Sequence, residues 1–348
     1  MRRLVPLLLI AGCNHSPAAS WTRDPGDAWD HGPPIQLTPH RVAFHNFTAD
    51  GSGILIVRKM LPSRHPTGEI SRDTSDIGLG LLPIAGGGGA WDFGNQRRAQ
   101  GDSTNRIISA ALSTDNRLLY VEETGPRVFD PGHYPVFWHQ ELLLSRPGAS
   151  GPERTLLQLF DEVSGQPTVP MGTINTLVDI QWLDQARFLA SAAHRRPMPN
   201  QDSLHIGLVV GTITPDTVTL EVVHDLLGIE RFSPTPDGAV LLQSAQSLWL
   251  LSLPDKRQEL LTTLSSSDER VVLTSRCDVA VCWAIALHQD DPSGTWEVWR
   301  IDRNTREAQM RRKIVFFLGA TPLLPPSGPA LVASLSGVLY RIDDVLTD

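Results

Sequence analysis

The sequence predicts an all-β chain folded as a six-bladed β-propeller, and three observations carry the prediction. A turn built on aspartate, set between short apolar runs, recurs along the chain. Most recurrences are followed by further strand-length runs. The tally ends one strand short at the C-terminus while one strand-like run stands spare at the N-terminus. Short strands with regular turn signals indicate a closed or stacked all-β architecture, and four of them make one blade. A sandwich or a solenoid also accounts for the strands, but not for a spare run that matches a missing one.

In chain order, Pro34-Ile35-Gln36-Leu37-Thr38 is the spare run. Asp50-Gly51, followed by Ile54-Leu55-Ile56-Val57, gives the turn and second strand of blade one. Asp115-Asn116, followed by Leu118-Leu119-Tyr120-Val121, repeats the pattern in blade two, with residues 141–144 and 155–159 as third and fourth strands. Trp182-Leu183-Asp184 leads into Phe188-Leu189-Ala190 in blade three, with residues 205–210 and 218–223 behind it. Blade four is the clearest unit: residues 231–242 carry Asp237-Gly238 between two apolar runs, and residues 247–253 and 259–264 follow. An Asp-Gly turn favours a hairpin because glycine accepts positive φ at no steric cost. Blade five runs from residue 271 to 314, with Trp296-Glu297-Val298-Trp299 opening its third strand; blade six supplies residues 330–335 and 338–342. The spare N-terminal run is expected to complete blade six and close the ring, covering an edge otherwise open to other chains.

Ahead of this domain, Met1-Arg2-Arg3 is basic and residues 4–10 are apolar, broken only by Pro6. That run is too short to span a bilayer, which takes about 20 residues, and a charged start, a short apolar core and small residues make a signal peptide. Ile10-Ala11-Gly12-Cys13 resembles the bacterial lipobox. The resemblance implies removal of residues 1–12, acylation of Cys13 and anchorage to a membrane by lipid. Asn14 favours the outer membrane, facing the periplasm. Residues 13–28 then read as lipidated cysteine and flexible tether, and residues 29–348 as the propeller.

The phrase Ser233-Pro234-Thr235-Pro236-Asp237-Gly238, followed by apolar residues and Leu248-Trp249-Leu250, resembles the repeat of the TolB-like propellers of bacterial envelopes. The resemblance covers residues 40–345, and the unit at 231–253 matches best, with Thr235-Pro236 inserted. The other blades keep only the aspartate and a turn residue. The N-terminal α/β domain of TolB has no counterpart. The resemblance therefore implies architecture, with a role in envelope integrity as an expectation.

Losing Arg2 and Arg3 with the signal peptide takes the net charge from -8 to -10. No basic block remains to track phosphates, so nucleic acid is not an expected partner. No P-loop, dinucleotide fingerprint, His-Glu-x-x-His or Gly-x-Ser-x-Gly is present, and no cofactor is expected. Asp291-Pro292-Ser293-Gly294-Thr295-Trp296 has the wrong Gly-to-Trp spacing for a sialidase Asp-box and reads as a loop entering a strand. Gly86-Gly87-Gly88-Gly89 lacks a following Lys-Ser/Thr and reads as a connection.

With Cys13 committed to lipid, Cys277 and Cys282 remain, spaced to flank a tight turn. In an oxidising compartment a disulfide is the leading expectation. Two free buried thiols are the alternative, and a metal site is disfavoured because only His288 is near.

Loops joining second to third strands share a face with those joining blades, and function concentrates in such loops. They are long in blade one (residues 59–76), blade two (124–135) and blade three (194–203). They gather Arg64, His65, Arg127, Phe129, His133, Tyr134, His194, Arg195 and Arg196 as a candidate binding face for an envelope protein or an anionic ligand. Ordinary solvated loops are the plain alternative. The function expected is a non-catalytic binding scaffold; the alternative is a propeller enzyme, a hydrolase or lyase, acting on a sugar or peptide at the central mouth.

Overall fold

Turn chemistry defines the first hairpins of blades one, two and four. In blade one the Thr48 hydroxyl accepts the Gly53 N–H at 2.9 Å and donates to the Asp50 carboxylate at 2.6 Å, which in turn accepts the Ser52 N–H at 3.0 Å. The same hydroxyl-x-aspartate pair recurs as Ser113–Asp115 at 2.5 Å and Thr235–Asp237 at 2.6 Å. The residue after each aspartate takes positive φ: Gly51 at 73°, Asn116 at 61° and Gly238 at 82°. These are residue types that tolerate the left-handed region.

The computed structural model describes residues 34–38, 42–58, 78–85, 91–92, 103–126, 139–146, 153–163, 166–167, 174–197, 202–264, 270–288, 294–315 and 319–347. After β1 (Ile35–Gln36), blade one comprises β2 (Ala43–Phe47), β3 (Gly53–Arg58), β4 (Gly78–Pro83) and β5 (Trp91–Asp92). Blade two has β6 (Ser103–Leu112), β7 (Leu118–Pro126), β8 (His139–Ser145), β9 (Arg154–Val163) and an outermost fifth strand, β10 (Gln166–Pro167). Blade three is β11 (Ile174–Trp182), β12 (Arg187–Pro197), β13 (Asp202–Ile213) and β14 (Val218–Asp225). Blade four is β15 (Arg231–Pro234), β16 (Val240–Gln243), β17 (Ser247–Leu251) and β18 (Gln258–Thr263). Blade five is β19 (Arg270–Cys277), β20 (Val281–His288), β21 (Thr295–Asp302) and β22 (Ala308–Val315). Blade six is β23 (Thr321–Leu323), β24 (Leu331–Leu335) and β25 (Val338–Ile342), with β1 as its outer strand.

Every sheet is an antiparallel meander, and blade six alone takes its fourth strand from the other end of the chain, in the register Ile35↔Arg341. Leu37 N–H donates to the Leu339 carbonyl at 2.8 Å, and Leu339 N–H donates to the Thr38 hydroxyl at 3.0 Å. The expected closing strand is therefore present.

The core explains why strands buried on both faces read as continuous apolar runs. Successive residues point to opposite neighbours. On β3, Ile54 and Ile56 pack against Val332 and Leu339 of blade six, while Leu55 packs against Ala110 and Tyr120 of blade two. On β20, Cys282, Ala284 and Ala286 face blade four, and Trp283 and Ile285 face blade six. Buried clusters fill the remaining gaps between blades two and three and between three and four. An apolar layer also lies between the last and first blades, which is what makes the sheets a ring rather than an open stack.

One loop is shorter than the sequence suggests. His194, Arg195 and Arg196 stand on β12, paired with His205, Leu204 and Ser203, because the β12–β13 ladder runs on to Pro197↔Asp202. The charged run reads as loop in the sequence and is strand in the fold. In blade two the β7 strand likewise extends to Pro126. Gly294 precedes β21, as the loop-into-strand reading has it, while Gly86-Gly87-Gly88-Gly89 lies outside the described residues.

Candidate functional site

The first strand of every blade lies nearest the axis, and at one end of the ring these strands and their turns enclose a funnel of about 880 Å³. All the blades contribute: Asn46 to Asp50, Ala111 to Asp115, Asp179 and Gln181 to Gln185, Glu230 to Pro236, Thr274 to Asp278, and Leu323, Leu324, Pro326 and Ser327. This is the face of the first hairpin turns. The second strands run away from it, so β3, β7 and β12 end at Arg58, Pro126 and Pro197 toward the opposite end.

The rim is acidic and kept ionised. Hydrogen bonds from Thr48 and Ser52 outweigh burial and hold the Asp50 carboxyl below the usual range. The Ser113 hydroxyl, then Arg117, does the same for Asp115. At Asp184 burial is outweighed by the Ala186 N–H and by Arg187. Asp237 is lowered chiefly by Arg303, whose guanidinium crosses from blade five at 2.8 Å.

Deeper in, β11 carries an irregularity between Val178 and Gln181, and Asp179 there adopts φ 53°. A bulge of this kind re-aims a side chain out of the regular alternation, and here Asp179 lines the funnel. Its carboxyl meets water inside the funnel but is walled by protein on most sides. Desolvation pushes its pKa up, and the charge of Arg231 only partly opposes that. Arg231, at the start of β15, is pushed down by the same desolvation and held up by Asp179 and Glu230.

Several other wall groups are engaged. Asn46 donates to the Ile180 carbonyl at 2.6 Å, Gln181 to Phe232 at 2.9 Å, and the Ser275 hydroxyl to Gln243 at 2.8 Å. Arg276 is buried, its terminal nitrogens donating to the carbonyls of Pro325 and Gly328, each at 2.6 Å. Beside it, Cys277 and Cys282 are joined by a disulfide across the β19–β20 hairpin, with Cα atoms 3.9 Å apart. Among the described residues no group of three or more His, Cys, Asp or Glu is arranged to hold a metal ion.

Of the residues singled out in the sequence, Cys13, Arg64, His65, Arg127, Phe129, His133 and Tyr134 lie outside the described residues. His194, Arg195 and Arg196 are placed by backbone only, at the end remote from the funnel. Sequence reasoning missed the funnel residues Asp179, Glu230 and Arg231. A lone acid within the apolar run Leu177-Val178-Asp179-Ile180 was the available signal.

Fold and ring closure define the class, a six-bladed β-propeller. No family model and no curated sequence matches the chain. Among solved structures it is similar to an oligogalacturonate lyase in complex with manganese, at 12% identity and TM-score 0.48, over 91% of this chain and 95% of that one. An oligogalacturonate lyase from Vibrio parahaemolyticus is similar at 10% identity and TM-score 0.44, over 88% and 92%. A Pyrococcus horikoshii acylaminoacyl peptidase is similar at 11% identity and TM-score 0.45, over 89% of this chain and 45% of that one. Likeness at the level of fold does not carry chemistry, which resides in the site.

Proposed function

We propose that the chain is a lipid-anchored protein of the bacterial envelope whose propeller binds a small polar ligand in the axial funnel. The observation that carries the reading is the funnel itself. It is an axial cavity of about 880 Å³ in which charged side chains converge without being consumed by the fold. Pockets of about 300–1,000 Å³ with a few convergent polar groups are the usual form of a small-molecule site. The lipobox-like Ile10-Ala11-Gly12-Cys13 supports the anchor. The end of β12 that carries Arg195 and Arg196, away from the funnel, is the proposed docking surface for an anionic partner.

A thermal-shift screen of polar metabolites against the full chain and Ser233→Trp, which sets bulk into the funnel wall, tests the reading. Ligands that stabilise the wild type should lose their effect on the variant. A screen in which every stabilising ligand works equally on both proteins removes the funnel as the site.

One observation favours a second reading, a propeller hydrolase or lyase. A carboxyl with a raised pKa in a cleft is suited to proton transfer, and Asp179 has that character. Turnover of a sugar or peptide by the wild type, lost in Asp179→Asn with binding retained, decides for it.

A further inference from the structure

Three charged side chains in the funnel are coupled by charge and left open to hydrogen bonding. Asp179, Glu230 and Arg231 all line the cavity and are exposed within it. Arg231 lies in the field of both carboxylates. Among the described residues none of the three side chains makes a hydrogen bond or an ion pair within 4.0 Å, whereas Asn46, Gln181, Ser275 and Arg276 around them are all engaged. The charged wall groups that make no such bond are therefore a carboxylate, a guanidinium and a carboxylate.

That order of charges selects among ligands. The set carries one net negative charge, so a dicarboxylate is repelled and a neutral sugar leaves the charge uncompensated. A ligand that fits brings a positive donor for Asp179 and Glu230 together with an acceptor for Arg231. An ammonium group one carbon away from a carbonyl has that pattern, and it is the free amino terminus of a peptide. Charge-assisted hydrogen bonds of this kind are about twice as strong as neutral ones. The ionised rim of Asp50, Asp115 and Asp184 draws a cationic end inward, since a cleft lined by one sign of charge focuses its field.

We propose that the funnel recognises the free amino terminus of a peptide, its ammonium toward Asp179 and Glu230 and its first carbonyl accepting from Arg231. The proposal rests on the reading of the funnel as the binding site.

Calorimetry on the detergent-solubilised full chain tests it, with tri-alanine amide, its N-acetylated form, maltotriose and succinate as probes. The free-amine peptide should bind, acetylation should weaken it at least tenfold, and added salt should weaken it further. Asp179→Asn should lose at least tenfold while melting no lower than the wild type. Equal binding of the acetylated peptide, or silence of the free-amine peptide, overturns the proposal. If maltotriose or succinate binds instead, and Ser233→Trp abolishes that binding, the funnel stands as the site and the peptide ligand falls.

Discussion

The guanidinium of Arg276 reaches out of blade five to hold the Pro325 carbonyl of blade six at 2.6 Å. Its second terminal nitrogen holds Gly328, and the Ser327 hydroxyl passes the connection on to the Asp50 carbonyl of blade one at 2.8 Å. Replacing Arg276 with methionine keeps the bulk and strands two carbonyls. A loss of about 3–6 kcal/mol is expected, since hydrogen bonds to charged groups contribute about 1.5–3 kcal/mol each. Chemical denaturation reads it, and an unchanged midpoint removes the latch from the account.

Asp179 sets a pH dependence whose sign is fixed. Its folded pKa is raised by desolvation, so its protonated form favours the fold. That contribution is full below the unfolded value of 3.8 and is lost as pH rises through the folded value. Asp179→Asn is therefore expected to melt slightly above the wild type at neutral pH, with the difference vanishing as pH falls below the ordinary carboxylate range. Asparagine also tolerates the φ of 53° found there. Melting curves across pH check this; a variant less stable at neutral pH contradicts it.

Much of the architecture was legible because it is local. The aspartate turns set the hairpins, and apolar runs buried on both faces set the strands. The closing strand was legible by counting. The depth of the β12–β13 ladder was not: His194-Arg195-Arg196 is charged, and charge there reads as loop until the partner residues Ser203 to His205 are known to face it. The funnel was legible only in part. Thr48, Ser113 and Thr235 stand two residues before their aspartates in plain view. The meaning of Asp179 depends on a bulge and on Arg231 in the next blade, and no local pattern supplies that relationship.

Gly211 stands opposite Phe188, and a Cβ there would overlap the Phe188 ring, which is wholly buried. Gly211→Ala should cost about 1–3 kcal/mol through displacement of the ring, the usual range for overpacking. Gly211→Ala combined with Phe188→Leu should recover part of the loss. Additive losses in the double variant would place the cause elsewhere.

Deleting residues 34–38 removes β1 and leaves β25 as a bare edge. The Leu37–Leu339 and Thr38–Leu339 hydrogen bonds go with it, so a loss of about 1–3 kcal/mol is expected from hydrogen bonding alone. Deleting residues 14–27 should leave the melting midpoint unchanged. Equal midpoints for the two truncations would show that β1 adds nothing.

Cys13→Ser tests the anchor. The lipobox-like sequence leads us to expect acyl labelling of the wild type and its recovery with membranes, and loss of both in the variant. A wild type that takes no acyl label and stays with membranes by other means rules the anchor out.

The pairing of β1 with β25 has a consequence for how the protein is made. β1 leaves the ribosome before the strands of all six blades and waits for β25, so blades one to five can form while blade six cannot. A copy that stalls or is clipped before residue 338 keeps two raw sheet edges, the state most prone to aggregation and most accessible to proteases. Ring closure is thereby checked by geometry: only a chain that has reached β25 can cover β1.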